Sequence, residues 1–310
     1  MTTARITNAA AVLSQRQDHP LLGIATFIGS MILMALISAS VKALSNNYPL
    51  GEILMFRFLF AALFFWVLLL STIGLSGLST SRPLEHAIRT VSGITSLSLM
   101  FFAVSTIPIA DATALSYSAP IFITLLSVFL LKETIGLRRW LAIFVGFVGV
   151  LLIAQPGGSG WSIGVAAGIA SAITGALVAI WLRRLSQTEK SVTIGLYYNS
   201  TGAVVCIIWV LAIDGVLPRG EDLLLFCVFG VFCAAQQWLL TISFRYAEAS
   251  LLAPFEYMAM IFAAIVGYLF WGEIPVLTTW IGAAVIASSG LFIFVRKQAK
   301  LSDAKAVTTD

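Results

Sequence analysis

Charge is what this 310-residue chain has least of: Asp, Glu, Lys and Arg make up 10% of it, against 59% hydrophobic residues. So few charges cannot cover a soluble globule, and a mean hydropathy of +0.99 places the chain in a bilayer. Histidine is nearly missing too. His19 lies in the polar N-terminal stretch and His86 at a helix start, so no histidine–carboxylate or serine–histidine constellation can form at mid-membrane. No carboxylate pair recurs at ligand spacing on one helix, which argues against an intramembrane enzyme. Neither a metal nor a cofactor is expected. A GxxxxGK[ST] loop and a soluble domain to carry it are also missing, so transport energy must come from a gradient or from exchange rather than ATP. Cys206, Cys227 and Cys233 are odd in number, lie in apolar runs and lack the close pairing of a zinc or redox motif. They read as small packing residues.

What the chain has in abundance is long apolar runs. A helix needs about 20 mostly apolar residues to cross a bilayer, and ten such runs fall at 21–44, 50–72, 86–106, 112–132, 137–154, 162–185, 191–213, 222–246, 249–271 and 275–296. Linkers of a few residues leave no room for a soluble domain, and the alternating ten-residue segments of a membrane barrel do not occur. The expected fold class is an all-α integral membrane protein. The first 20 residues are polar, and the first apolar run is longer than a signal-peptide core with no clear cleavage site after it, so the first helix is expected to be retained.

The runs repeat. Residues 22–45 recur at 163–186, with Gly23 on Gly164, Ser30 on Ser171, Ala35 on Ala176 and Leu44 on Leu185. A second echo matches 117–140 to 257–280, pairing Tyr117 with Tyr257, Ala119 with Ala259 and Glu133 with Glu273, but Gly136 with Val276. Five crossings per half force the second copy to enter from the opposite side. The expected organisation is an N-terminal tail (1–20), a first five-helix repeat (21–154), a second, inverted repeat (162–296) and a C-terminal tail (297–310). All of the 18 Lys and Arg except Lys42, Arg57 and Arg219 fall on the tails or on loops of one face. Arg82 and Arg89 are assigned to one such loop. That face is expected to be cytoplasmic, with both termini on it, in an inner-membrane, multi-pass protein. The net charge of +4 is spread over six segments, which argues against nucleic acid as a partner. The partners expected are the lipid bilayer and a small-molecule substrate, and the oligomeric state is not legible.

The stretch 107–153, with Pro108 and Ala110 before helix four, Pro120 within it, Glu133 at its end and Gly146 and Gly149 in helix five, resembles the EamA-type branch of the drug/metabolite transporter superfamily. Arg57 in "EILMFRFLFAAL" fits the same pattern. The second copy departs from it: Met260 stands where Pro120 would be. The resemblance covers about 21–296 and implies ten helices in two inverted five-helix halves, a central cavity and alternating access.

Several residues are candidates to carry transport. Arg57 sits seven residues into helix two, where a cation costs about 2.5–3.5 kcal/mol on insertion scales. Two roles are open: a structural ion pair with Asp111 or Glu52, or an anchor for an anionic or carbonyl group of substrate. Glu256, flanked by Pro254 and Tyr257, reads as the deepest acid and as a proton carrier or a partner for a cationic group, or else as a packing residue. Gln236 and Gln237 lie beside Trp238 in helix eight; adjacent residues point about 100° apart, so only one amide is expected to line a cavity. Tyr197, Tyr198 and Asn199 in helix seven, with Tyr117 and Tyr257 at equivalent places, offer aromatic faces with polar tips for a planar ligand, or core packing. Pro120 and Pro254 free the carbonyls of Ser116 and Ser250. Gly164 and Gly168 form a GxxxG that suits close helix approach. Glu133 and Glu273 read as loop-fixing carboxylates.

The reading from sequence is a secondary active transporter, not an enzyme, that rocks two inverted halves about a central site. Uptake of a planar heteroaromatic metabolite is the first expectation, riboflavin ahead of S-adenosylmethionine. Export of amino acids or related metabolites is the alternative.

Overall fold

A computed structural model of the chain describes residues 20–130, 136–155, 161–186, 188–212, 215, 218, 220–247 and 249–307. Those residues form twelve α-helices and one 3-10 turn, with no strand among them. In the first half α1 is Pro20–Leu44, α2 Leu50–Thr72, α3 Pro83–Thr106, α4 Ile109–Ser116, α5 Ala119–Leu130 and α6 Leu137–Ala154. In the second, α7 is Ile163–Leu185, α8 Ser191–Ala212, α9 Glu221–Tyr246, α10 Ala249–Glu256, α11 Met258–Trp271 and α12 Leu277–Val307. Seven described helical segments, one of them α4 and α5 taken together, are long and apolar enough to cross a membrane; Trp140–Ala154, Met258–Trp271 and Leu277–Ile293 are shorter apolar helices. Leu63, Val67, Phe144, Leu211 and Phe270 turn large apolar side chains outward, as a protein solvated by lipid does.

Helix boundaries follow local chemistry. Pro83 opens α3 at its first turn, where a missing N–H costs nothing; the helix therefore starts three residues earlier than the apolar run alone indicates. The fourth and ninth apolar segments are not continuous helices. Pro120 cannot donate to Ser116, and the chain turns at Tyr117 and Ser118 before restarting as α5. The second copy breaks at the equivalent Tyr257 without a proline there: the Met260 amide donates to the Tyr257 carbonyl at 3.2 Å, a three-residue closure. Both breaks fall at the centre of the bundle.

Packing obeys the repeat. The most extensive helix contacts are α3 with α7, α9 with α1, α2 with α8 and α6 with α12. Exchanging the halves turns the first pair into the second and each of the others into itself. Along α2 and α8 the register is antiparallel: a side chain at Gly51 would meet Trp209, one at Gly202 would meet the Phe58 ring, and one at Gly195 would collide with Phe65. The steps of seven residues place aromatic rings of α2 into glycine notches of α8, the close approach by which helices associate where lipid removes the hydrophobic drive. The helix α2 and its repeat-mate α8 thus pack antiparallel. The Gly164 expectation is met in part. A Cβ on Gly164 would collide with Thr106, and one on its counterpart Gly23 with Ala247, so both are contact notches at equivalent crossings.

Candidate functional site

The centre of the bundle holds two small adjoining cavities that share Met34, Ser38 and Met100. The larger is lined by Arg57 of α2, Leu97 and Phe101 of α3, and Cys233, Gln236 and Gln237 of α9. The smaller is lined by Thr113 and Ser116 of α4, by Tyr117 at the break after it, and by Ala259 and Ala263 of α11. The site therefore sits against both helix breaks and draws on both halves.

Arg57 enters this space from α2 because its own helix buries Ile53, Leu54 and Phe58 on one face. Its Nη1 donates to Asn199 Oδ1 at 3.1 Å, and Asn199 is oriented in turn by donating Nδ2 to the Gly195 carbonyl at 2.8 Å. The guanidinium also lies 5.0 Å from the Phe58 ring centre and 5.9 Å from that of Tyr198, a favourable setting for a cation in a dry site. No carboxylate pairs with Arg57 among the described residues. Asp111, one of its expected partners, instead accepts from Thr279 Oγ1 at 2.7 Å.

The repeat-related tyrosines do meet. The rings of Tyr117 and Tyr257 lie 5.8 Å apart, one lining the smaller cavity and the other closing against Gly290. Gln236 and Gln237 both line the larger cavity, which corrects the expectation of one: the two share the rim, one on each side of the line facing the cavity. Trp238 is a correction of the opposite sign. It is 47% exposed on the outer face and packs edge-on against Phe64 at 5.9 Å, away from the cavity. Glu256 ends α10 with an exposed side chain, whereas Glu52, in the first turn of α2, is fully buried. Tyr197 is held structurally, donating to the Leu78 carbonyl at 2.7 Å.

Arg89 is what sequence reasoning missed. Assigned to a loop as a topology marker, it lies two turns inside α3, with its guanidinium 3.8 Å from the Tyr198 ring centre. The signal that could have found it is Pro83, which moves the helix start back and Arg89 inward.

At the bundle end where α1 finishes, Lys42 forms a salt bridge with Glu273 and donates to the Ile107 carbonyl at 2.9 Å. The Ile109 amide donates to the other Glu273 oxygen at 3.0 Å. Glu273 thus ties α1, the turn before α4 and the turn after α11 together, the loop-fixing role expected of it. Glu133 lies outside the described residues. At the same end the Tyr48 hydroxyl donates to Asp222 at 2.6 Å, and that carboxylate raises the phenol above its usual range. Cys206 and Cys233 are buried and Cys227 half-buried, all as free thiols.

The EamA-like transporter family model matches residues 21–155 and again 162–295. The chain belongs to the EamA-like transporter family. It is thus a membrane transporter and not an enzyme. Among its relatives, an S-adenosylmethionine uptake transporter of Rickettsia bellii is 28% identical over 91% of this chain and 96% of that protein. A riboflavin transporter of Rhizobium johnstonii is 32% identical over 77% of each chain. A pseudopaline exporter of Pseudomonas aeruginosa is 30% identical over 85% of the transporter described here and 93% of its own length. A crystal structure 20% identical in sequence superposes with a TM-score of 0.58, covering 89% of this chain and 97% of that one, and so shares the fold.

Proposed function

We propose that the transporter works by alternating access in the inner membrane, its ten apolar segments all crossing and both termini cytoplasmic, and that it takes up a heteroaromatic metabolite bearing a carboxylate. S-adenosylmethionine, with its adenine ring and α-carboxylate, fits this chemistry better than riboflavin, which has no carboxylate. The observation that carries the reading is Arg57 on the wall of the central cavity with no carboxylate partner among the described residues. A cation there is stabilised most by an anionic group that arrives with the substrate. Gln236 and Gln237 would hydrogen-bond the polar edge of a planar group, and Tyr117 would offer its face to the ring. In this orientation the Lys42 end is periplasmic and is held shut by Glu273, and Glu256 lies toward the cytoplasm as a candidate proton carrier.

The test is accumulation of labelled S-adenosylmethionine in bacterial cells lacking their own uptake system, with and without the chain. Uptake that unlabelled S-adenosylmethionine competes away, and riboflavin does not, supports the reading. Competition by riboflavin with labelled riboflavin accumulating would reassign the substrate. No accumulation of either, with the protein in the membrane, would overturn import and redirect the search to efflux. Arg57→Gln is expected to raise KM at least tenfold at unchanged membrane abundance. Glu256→Gln is expected to abolish the pH-driven part of uptake, and an unchanged pH dependence would remove that acid from coupling.

A further inference from the structure

We propose that Arg89 and Arg57, placed around the Tyr198 ring, form a two-arginine site that binds a carboxylate inside the bundle, with Arg89 its unassigned half. The two side chains come from different helices, α3 and α2, and converge on a residue of a third, α8. Arg89 lies 3.8 Å from the ring centre of Tyr198 and Arg57 lies 5.9 Å from the same centre. The ring is fixed. Its hydroxyl donates to the Gly93 carbonyl at 3.3 Å, and any side chain at Gly93, one turn on from Arg89, would press on the ring edge within 2.7 Å.

The donors of Arg89 are open. Its Nε and Nη1 are both buried and neither has a hydrogen-bond partner. Stacking on the ring engages the face of the guanidinium and leaves its N–H edge available. Two cations gathered at one aromatic ring, one of them with buried N–H groups unmatched, form an arrangement that an anion completes. Arginine favours carboxylate because its planar fork matches two oxygens at once. One turn nearer the His86 end, the buried imidazole of His86 also has both ring nitrogens without a hydrogen-bond partner; the carboxylates of Glu85 and Glu189 lie near it. The basic groups thus run from the cavity wall at Arg57 toward the end opposite the Lys42–Glu273 latch. A substrate carboxylate leaving Arg57 would meet Arg89 next.

The proposal rests on the transporter reading for its role in translocation, but the site can be tested without it. Purified full-length protein in detergent would be melted against increasing succinate and, separately, S-adenosylmethionine, with sodium chloride at matched ionic strength as control. Succinate is expected to raise the melting midpoint saturably, and Arg89→Gln to weaken that response at least tenfold while the variant still elutes as a single species. Arg89→Lys, which keeps the charge and loses the fork, is expected to fall between them, and is read in place of Arg89→Gln if the latter aggregates. Succinate binding that depends on Arg89, with no response to S-adenosylmethionine, keeps the site and rejects that substrate. S-adenosylmethionine binding that is equal in wild type and Arg89→Gln keeps the substrate and overturns the site. A response to succinate no greater than that to chloride also overturns it.

Discussion

The cations set inside the bundle are held in two different ways. Near one end Lys42 is matched by Glu273 and by the Ile107 carbonyl, and Asp111 is matched by Thr279. From the centre toward the other end, Arg57 and Arg89 face the cavity wall and Tyr198 with no described carboxylate beside them. Partnered charge at one end reads as a fastening between halves. The arginines in the middle rest on an amide and on aromatic rings instead, a setting that an anionic group arriving with a substrate would stabilise further.

That contrast can be broken first at its fastened end. Glu273→Gln leaves Lys42 without its carboxylate and leaves one side-chain oxygen where Lys42 and the Ile109 amide each had their own. The expected loss is about 2–3 kcal/mol, below the full figure for a buried pair because both side chains keep some exposure. Thermal melting of the purified protein reads this loss. The same variant, with Cys227 replaced by serine, is expected to expose Cys233 of the central cavity to a membrane-impermeant maleimide faster than the parent does. Equal labelling rates would show that the latch does not control access.

The symmetry of the packing offers the next test. Gly164→Val and Gly23→Val place a branched side chain into equivalent crossings, against Thr106 and Ala247 respectively. Each is expected to destabilise by about 1–3 kcal/mol through overpacking. A marked inequality between the two melting midpoints would show that the halves are fastened unequally. A smaller effect is expected from Thr279→Val, which removes the hydrogen bond to Asp111 and should cost about 1 kcal/mol. Smallest of all is Trp238→Ala on the lipid-facing side of α9, where uptake kinetics should be unchanged; a raised KM would return that indole to the site.

Much of the fold was legible because hydropathy and repetition are local properties of a sequence. The runs, the repeat offsets and the pairing of Tyr117 with Tyr257 all follow from spacing alone. The helix breaks were half legible: Pro120 announces one, and nothing in the residues around Met260 announces the other, because that break depends on how the central helices pack. Arg89 was misplaced for a related reason. A cation near the end of an apolar run serves equally as a loop marker or as an inward-facing side chain, and only the neighbours decide which. Trp238 shows the converse, since adjacency to two cavity glutamines along the chain says nothing about direction when each residue turns by about 100°.

The sequence by itself determined that the chain is an apolar, duplicated bundle of helices and a membrane transporter, because these rest on composition, length of run and repetition. Only the tertiary structure decided that Glu273 fastens Lys42, that Arg57 reaches Asn199 instead of an acid, and that Arg89 closes on Tyr198. The reason is physical: pairing in an apolar interior is set by which side chains the packed helices bring within a few ångströms, and those partners come from separate helices far apart along the chain.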